Sequence, residues 1–477
     1  MRVGKTATSV LLAGALVGIL SGCESDGGAT GGDSAHGDGA GGTGGVPLKS
    51  KMTAPAAFDS GKGWEVEADW LPQGQPLPYA VSGKGHSVAY LDRTEQGYVL
   101  NIRDASSGKV LSTSKPWKGP ELTEKQGDAQ SGEQSGELAV PQIALISGTK
   151  RDYFAVWARG QARKDELHEY KEVISAAFYP ADASGKDMAP VGSGNAEAPD
   201  GEFDRPSVFP GRGGLVVTSY SGDSILLSPD GKVTDTSDAK VTLNGKAVDP
   251  DYLMSFQGPE GLVTNGEEGA RGVSGFGADG GWQSTEVAPP GVEAVRREEN
   301  VGFGMEETPN GRIVGAVGNY VIANWIKGSD DISAVHDLAT GAVRATAPCR
   351  TEETEYDVDV PSPGNLAEVP PALSPDGRYL IKGGNVFDLR TGKGRCADSG
   401  EGAKKIGLAA VGDDGIAYGL AGEDAPRTPV SVSVATGAAK PLPEATGTPN
   451  SITGGAGVFV TYAGTDSMRL IVLGPKN

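Results

Sequence analysis

Few residues in this chain have both the type and the spacing for chemistry. Gly275-Phe276-Gly277-Ala278-Asp279-Gly280 spells G-x-G-x-x-G. A dinucleotide loop, however, needs a strand before it and a helix after it, so that the pyrophosphate meets a helix N-terminus. Gly281-Trp282-Gln283-Ser284-Thr285 is β-like, and a second literal match runs from Gly39 to Gly44 in a Gly-rich stretch, so a hairpin turn is expected. His168-Glu169-Tyr170-Lys171-Glu172 comes near the H-E-x-x-H helix of zinc proteases, but Glu172 stands where the second imidazole must sit. A solvated charged loop is expected there. No G-x-S-x-G elbow occurs. Of four His, His36 lies in the Gly-rich stretch, leaving His86, His168 and His336 for any Ser-His-Asp set. His336, inside Ala-Val-His-Asp-Leu, reads as a half-buried structural residue. Gly-Lys precedes Ser or Thr only at Gly4-Lys5-Thr6, so there is no P-loop. The acids at Asp330-Asp331, Asp357/Asp359 and Asp413-Asp414 do not fit a D-x-[DN]-x-[DN]-G loop and read as solvated. No catalytic, cofactor-binding or metal-ligating residue is assigned, and no cofactor is expected.

One nucleophile does stand in a chemical context. Arg2 and Lys5 open the chain, Val10–Leu20 is an apolar run too short to span a bilayer, and Leu20-Ser21-Gly22-Cys23 follows. This resembles the signal and lipobox of bacterial lipoproteins. The resemblance implies cleavage before Cys23 and acylation of its thiol, with two or more chains giving durable membrane anchoring. Residues 1–22 are then the signal peptide, residues 23–45 a lipidated Cys and Gly-rich tether of about 25 Å end to end as a coil, and residues 46–477 the body. The expected location is the extracytoplasmic face of the cell membrane. The Gly/Ala-rich, acidic composition and the tether resemble surface lipoproteins of Gram-positive actinobacteria.

The charge excludes one function class. Of 42 basic residues the signal takes Arg2 and Lys5, leaving 40 against 62 acids and a net charge of −22, the opposite of a nucleic-acid footprint. Gly, at 74 of 477 residues, argues against long helices.

The body consists of short β-type runs separated by Gly, Asp and Ser, and one turn recurs. Its copies are IRDASSGKVLS, YPADASGKDM, LLSPDGKVT, FGADGGWQS, AVHDLATGAVRA, VFDLRTGKGRC and SVSVATGAAK. Their glycines, at 108, 185, 231, 280, 341, 392 and 437, are separated by 77, 46, 49, 61, 51 and 45 residues. Through the D-x-x-[ST]-G-K turns the units resemble quinoprotein-like and WD-repeat-like β-propellers, with four strands per blade. The fold class expected is all-β, a single propeller of four-stranded blades. Trp64–Trp70 is an orphan strand, and the last piece supplies three strands, so an N-terminal strand should close the ring. That counts eight blades; seven is the alternative if Asp251–Val287 is not a full blade.

The quinoprotein resemblance carries a catalytic implication, a quinone and Ca²⁺ in the central channel beside adjacent cysteines. This chain has no adjacent cysteines, and only Gly108 is followed at near-blade distance by a Trp, Trp117. Cys349 and Cys396 fall in or just after the outermost strands of neighbouring units, and an oxidising compartment favours a disulfide between them. Trp157, Tyr153, Phe154 and Trp325 read as core, whereas Trp64, Trp70 and Trp117 are candidates for an aromatic sugar platform. Three insertions break the rhythm: Lys118–Leu138, Gly160–Glu172 and Thr351–Val360. They are polar or acidic and belong on the rims. The function expected is a membrane-anchored, non-enzymatic scaffold that binds a protein or cell-envelope partner, not nucleic acid. The alternative is a propeller hydrolase, lactonase or quinoprotein-type dehydrogenase with its site in the central channel.

Overall fold

Ser87–Thr94 has Val88, Ala89, Tyr90 and Leu91 buried in succession. Side chains alternate faces along a strand, so a strand apolar at consecutive positions needs a packing partner on both sides. Val88 and Tyr90 pack with Val458 and Val472, while Ala89 and Leu91 pack with Phe154 and Val156. The rest of the core is built likewise, as clusters between consecutive sheets. Ile146 and Phe178 meet Leu215 and Leu227. Trp282 meets Ile313 and Trp325. Val335 meets Leu380 and Phe387, and Ile381 meets Leu408 and Val432.

The computed structural model describes most of residues 48–476; its longest omissions are 122–139, 249–255, 265–273 and 352–368. The signal, Cys23 and the tether lie outside the described residues. Thr43–Asn477 is one compact unit of antiparallel sheets. In chain order their first strands are Tyr79–Ser82, Gln142–Ile146, Ser207–Gly211, Phe256–Gly258, Arg312–Val317, Ala372–Leu373, Ile406–Val411 and Ser451–Thr453. Each runs into a meander, as in Tyr79–Ser82, Ser87–Thr94, Gly97–Asp104 and Val110–Ser114.

These first strands touch one another in order from 79–82 through 312–317, and again from 372–373 through 451–453. Between the two runs Gly315 lies against Pro371, and 451–453 returns to 79–82. A ring of sheets closed in this way is a β-propeller. Phe58–Ala68 supplies the outer strand of the last sheet, antiparallel to Met468–Pro475, as the orphan strand and the three-strand terminus required. The sheets of 312–347 and 372–396 join edge to edge through a parallel bridge, Thr346 to Lys393, into one eight-stranded sheet.

The recurring turn is the connection from third to fourth strand. In four copies the glycine takes φ of 67°, 70°, 71° and 74° (Gly108, Gly341, Gly392, Gly437), which glycine adopts without a Cβ penalty. Its N–H bonds back to the carbonyl of Asp104, Asp337, Asp388 or Ser433. The Asp carboxylate accepts the next amides, Ser107 N at 2.8 Å and Thr340 N at 3.1 Å. The residue after each Asp or Ser donates its N–H to the hairpin joining the first two strands of its own sheet: Ala105 to His86, Leu338 to Asn319, Leu389 to Arg378 and Val434 to Gly415.

The glycine also allows the preceding sheet to approach. Trp64 and Trp282, each on the outer strand of the preceding sheet, cover Gly108 and Gly341 so closely that a Cβ would lie 2.6 Å from the ring. Their Nε1 atoms donate to Ala105 O (3.1 Å) and Leu338 O (3.0 Å).

Several expectations are corrected. Trp64 is fully buried as this inter-sheet wedge and is no part of a sugar platform, whereas Trp70 and Trp117 are half-buried against the cluster of Leu91, Leu100 and Phe154. Gly185 opens a strand, Gly185–Met188, that crosses to pair in parallel with Val110–Ser114 of the neighbouring sheet; the true outer strand there is Gly192–Glu197. Ser284–Val287 is one turn of helix rather than β. Two hairpins, 241–248 and 295–309, stand between sheets with no counterpart in the repeat.

Gly341→Ala should destabilise the protein by roughly 2–5 kcal/mol in urea unfolding, because backbone strain and collision with Trp282 add. Gly318→Ala, with φ 57° and nothing near its Cβ position, should cost only the backbone part, about 1–2 kcal/mol. Equal losses would mean that the Trp282 contact is slack.

Candidate functional site

Antiparallel strands divide the connections into two sets. Those from first to second and from third to fourth strand lie at one end of each sheet; those from second to third strand and from sheet to sheet lie at the other. The first set is short and fastened. Gly83 lies against Pro375, Gly454 against the His86 imidazole, and Lys84 Nζ donates to Gly148 O (3.0 Å) and Asp152 Oδ1 (3.1 Å). Asp152, buried, also accepts Ser82 Oγ at 3.0 Å. His86 sits at φ 45°, and its carbonyl takes the Ala105 amide.

Two carboxyl groups meet on this rim. Asp376 N donates to Asp413 Oδ1 at 2.9 Å. Burial and then the Asp376 charge push the Asp413 carboxyl up from its ordinary value. Asp376 is held down: burial opposes this, but hydrogen bonds from Ser374 Oγ (2.6 Å) and Arg378 N (3.0 Å) outweigh it. The contact thus moves the two carboxyl groups in opposite directions from their ordinary values. Asp413-Asp414 alone read as solvated acid; the signal missed was a second acidic hairpin, Ser-Pro-Asp-Gly-Arg, at the same place in the preceding unit. Among the described residues no three His, Cys, Asp or Glu side chains group as a metal site.

The second rim receives every insertion. The chain leaves toward Lys118–Leu138 and returns at Val140 between two sheets, Gly160–Glu172 spans a second-to-third connection, and Thr351–Val360 again lies between sheets. Two of them meet at their bases. Glu121 and Gln161 exchange main-chain bonds of 2.9 and 2.7 Å, and Gly160 packs on Pro120 and the Glu121 carbonyl. This corrects the boundary: the first insertion is anchored as far as Glu121. Glu172, paired with Arg159, accepts Phe203 N at 2.8 Å and ties in the next connection. Beyond, Leu167 is 94% exposed, and Tyr170, 47% exposed, lies under the Arg163 guanidinium at 5.0 Å. His168 Nδ1 lies 2.6 Å from its neighbour Asp165 Oδ1, on a loop where both are exposed.

Cys349 and Cys396 are joined by a disulfide, their Cα atoms 6.3 Å apart. Beside it Ser333 Oγ reaches Asn324 Oδ1 (2.8 Å) and Thr351 Oγ1 (2.7 Å), and Asn385 Nδ2 donates to Thr351 Oγ1 (2.6 Å), all buried. His336 is fully rather than half buried. Its Nε2 accepts from Trp325 Nε1 at 3.1 Å, its Nδ1 faces Gly341 O at 2.9 Å, and it stacks on Trp282. Burial drives its pKa down to about 4, against the pull of the Gly341 carbonyl.

No protein-family model matches the chain, and no curated protein matches it. Among solved structures, the Dos1 propeller aligns over 87% of this chain and 95% of its own, at 10% identity and a TM-score of 0.37. A GH43 glycoside hydrolase engineered to display both endo-xylanase and exo-arabinofuranosidase activity aligns over 91% and 89%, at 11% identity and 0.20. At these scores neither likeness bears on what the chain does.

His336 titrates lower in the folded than in the unfolded chain, so its stabilising contribution is complete above pH 6.5 and is lost as pH falls toward about 4. His336→Gln should be less stable at pH 7 yet lose up to about 3 kcal/mol less between pH 7 and pH 4. Parallel pH profiles would exclude a buried neutral imidazole. Replacing residues 122–139, which have few apolar side chains to offset ordering entropy, with a short Gly-Ser linker should leave Tm within about 2 °C; a larger fall would place packed residues there.

Proposed function

We propose that the chain is a lipid-anchored, extracytoplasmic eight-bladed propeller that acts as a binding scaffold, holding a protein or cell-envelope partner on one rim. The blade count rests on the first strands enumerated above, including Phe256–Gly258, whose sheet 256–283 fills the place that a seven-bladed count would leave empty. The anchor rests on the Leu20-Ser21-Gly22-Cys23 sequence. The observation that carries the scaffold reading is the gathering of insertions on one rim, two of them hydrogen-bonded at their bases. The first strands, which border the channel, contain no His, Asp, Glu or Asn.

One observation favours the alternative enzyme reading. Asp376 and Asp413, beside the channel mouth, have their titrations driven apart, as an acid and base pair requires. Hydrolysis of a chromogenic ester, lactone or glycoside by the protein, abolished in Asp413→Asn, would move the assignment to that reading.

Cys23→Ser should abolish detergent-phase partitioning and release the protein from membranes or leave its signal uncut. Unchanged partitioning would sink the anchor. Pull-down from membranes with the anchored protein should recover a stoichiometric partner; recovery of none would count against the scaffold.

A further inference from the structure

Before the chain enters the ring it lies along the outside of it. Residues 48–57 cross the joint between the last two sheets, where Thr53 pairs in parallel with Thr446 of the connection between them. Exposure alternates along this segment. Leu48, Ser50, Met52 and Ala54 are half-buried, and Lys49, Lys51 and Thr53 are exposed, so one face rests on the ring and the other meets water. Leu48, Met52, Ala54 and Ala57 pack against the cluster of Phe58, Tyr418, Phe459, Ile471 and Leu473, yet of the ten residues only Pro55 is buried. The polar ties are scattered along the segment. Ser50 N donates to Glu65 Oε2 (3.0 Å), Arg469 Nη1 to Ser50 Oγ (2.5 Å), Gly447 N to Thr53 O (2.9 Å) and Lys476 N to Ala57 O (2.8 Å).

Two features separate this strap from the strand that follows it. The pairing that closes the ring runs unbroken from Gly63–Leu473 to Ala68–Met468, but its register shifts between Phe58 and Gly63. There Asp59 Oδ1 accepts Gly61 N at 2.9 Å, and the disrupted ladder leaves a bend between the two pieces. The second feature is unmet polarity under the strap. Of three buried side-chain polar atoms left unpaired among the described residues, two belong to residues that hold it, Thr446 Oγ1 and Arg469 Nε. Thr446 is 5% exposed. A buried polar atom without a partner costs stability that water restores when the site opens.

We propose that residues 48–57 are a releasable strap, which lifts from the joint about the 59–62 bend while Gly63–Ala68 keeps the ring closed. Regions with few buried side chains and isolated hydrogen bonds open locally at a fraction of the cost of global unfolding. Release lets water reach the Thr446 hydroxyl and frees ten residues, up to about 35 Å of extended chain. Its use rests on the anchored reading above: for a body held by its N-terminus, the strap is a reserve of tether length that gives under tension before the ring does.

Amide hydrogen exchange of the full mature chain tests the strap. Peptides spanning 48–57 should exchange at least 100-fold faster than those spanning 63–68 and 468–474. Equal protection would overturn the inference, since the strap would then open only with the ring. Thr446→Val, which puts a methyl where the unpaired hydroxyl stands, should slow exchange in 48–57 at least threefold and leave 63–68 unchanged. Exchange left unchanged in 48–57 would overturn the part assigned to that hydroxyl. Deleting residues 48–57 should leave a folded ring with Tm within about 5 °C of the wild type; failure to fold would place the strap in ring closure and refute its release. None of these measurements needs the lipid. Fast exchange in a protein whose partitioning is indifferent to Cys23→Ser refutes the anchor and leaves the strap standing, whereas equal protection in an anchored protein refutes the strap alone.

Discussion

A sheet that is apolar on both faces cannot be left with either face in water, and nearly everything in this fold follows from that constraint. Covering both faces of every sheet with other sheets has no end in an open stack, because the terminal sheets always keep one face bare. Closing the stack into a ring removes the ends. The interface between the last sheet and the first, where Trp64, Val458 and Val472 meet Val88 and Tyr90, is thus the contact without which the other interfaces would leave two faces exposed. It is built from both ends of the chain, since Phe58–Ala68 completes the sheet that Ser451–Pro475 begins.

The geometry of the ring explains which parts of the fold were legible. The third-to-fourth turn is defined by local chemistry, a carboxylate capping its own backbone and a glycine at positive φ, so it repeats in the sequence and shows the period. The closing strand showed instead as the unmatched Trp64–Trp70 run beside a terminal unit of three strands. Trp64 and Trp282 were not legible, because each serves the turn of the next sheet rather than its own, and no fixed spacing links a ring to a glycine in another unit. Trp117, at a suggestive distance from Gly108, is instead a main-chain partner of Tyr98. His336 shows the same limit: one apolar-flanked imidazole suggests partial burial, but only the Trp282 and Trp325 rings brought over it by neighbouring strands make it fully buried. The hairpins 241–248 and 295–309 lie outside the repeat and had no periodic signal to reveal them.

The candidate surfaces divide in the same way. That insertions belong to rims follows from chain connectivity, and their acidity from composition. That all three belong to one rim requires knowing which connection each occupies, which depends on strand order. The Asp376–Asp413 contact is a pairing of two hairpins from consecutive sheets, so neither Ser-Pro-Asp-Gly-Arg nor Gly-Asp-Asp-Gly signals it alone. On that rim, hairpins bond to turns within each sheet and to hairpins of the next, which leaves little room for variation. On the other rim the ties among the described residues stand at the bases of the connections, Glu121 with Gln161 and Glu172 with Phe203, and the insertions lengthen beyond them.

That freedom carries an electrostatic cost, and the fold meets it at the most charged connection. Residues 348–371 hold six acids and one base, and like charges held close repel unless spread or pinned. The start of this connection is tied covalently, through Cys349 to Cys396 of the adjacent sheet. Two residues on, Thr351 is buried among Ser333, Asn324 and Asn385, accepting and donating in a network that a solvated loop would not need. At the far end the buried Lys382 ammonium donates to Val369 O at 2.9 Å, placing a positive charge where the acidic run rejoins the ring. The network and the disulfide also bridge the two sheets that merge into one eight-stranded sheet at Thr346–Lys393. The disulfide and network that tie the start of this connection are therefore also contacts between the two sheets that join at Thr346–Lys393.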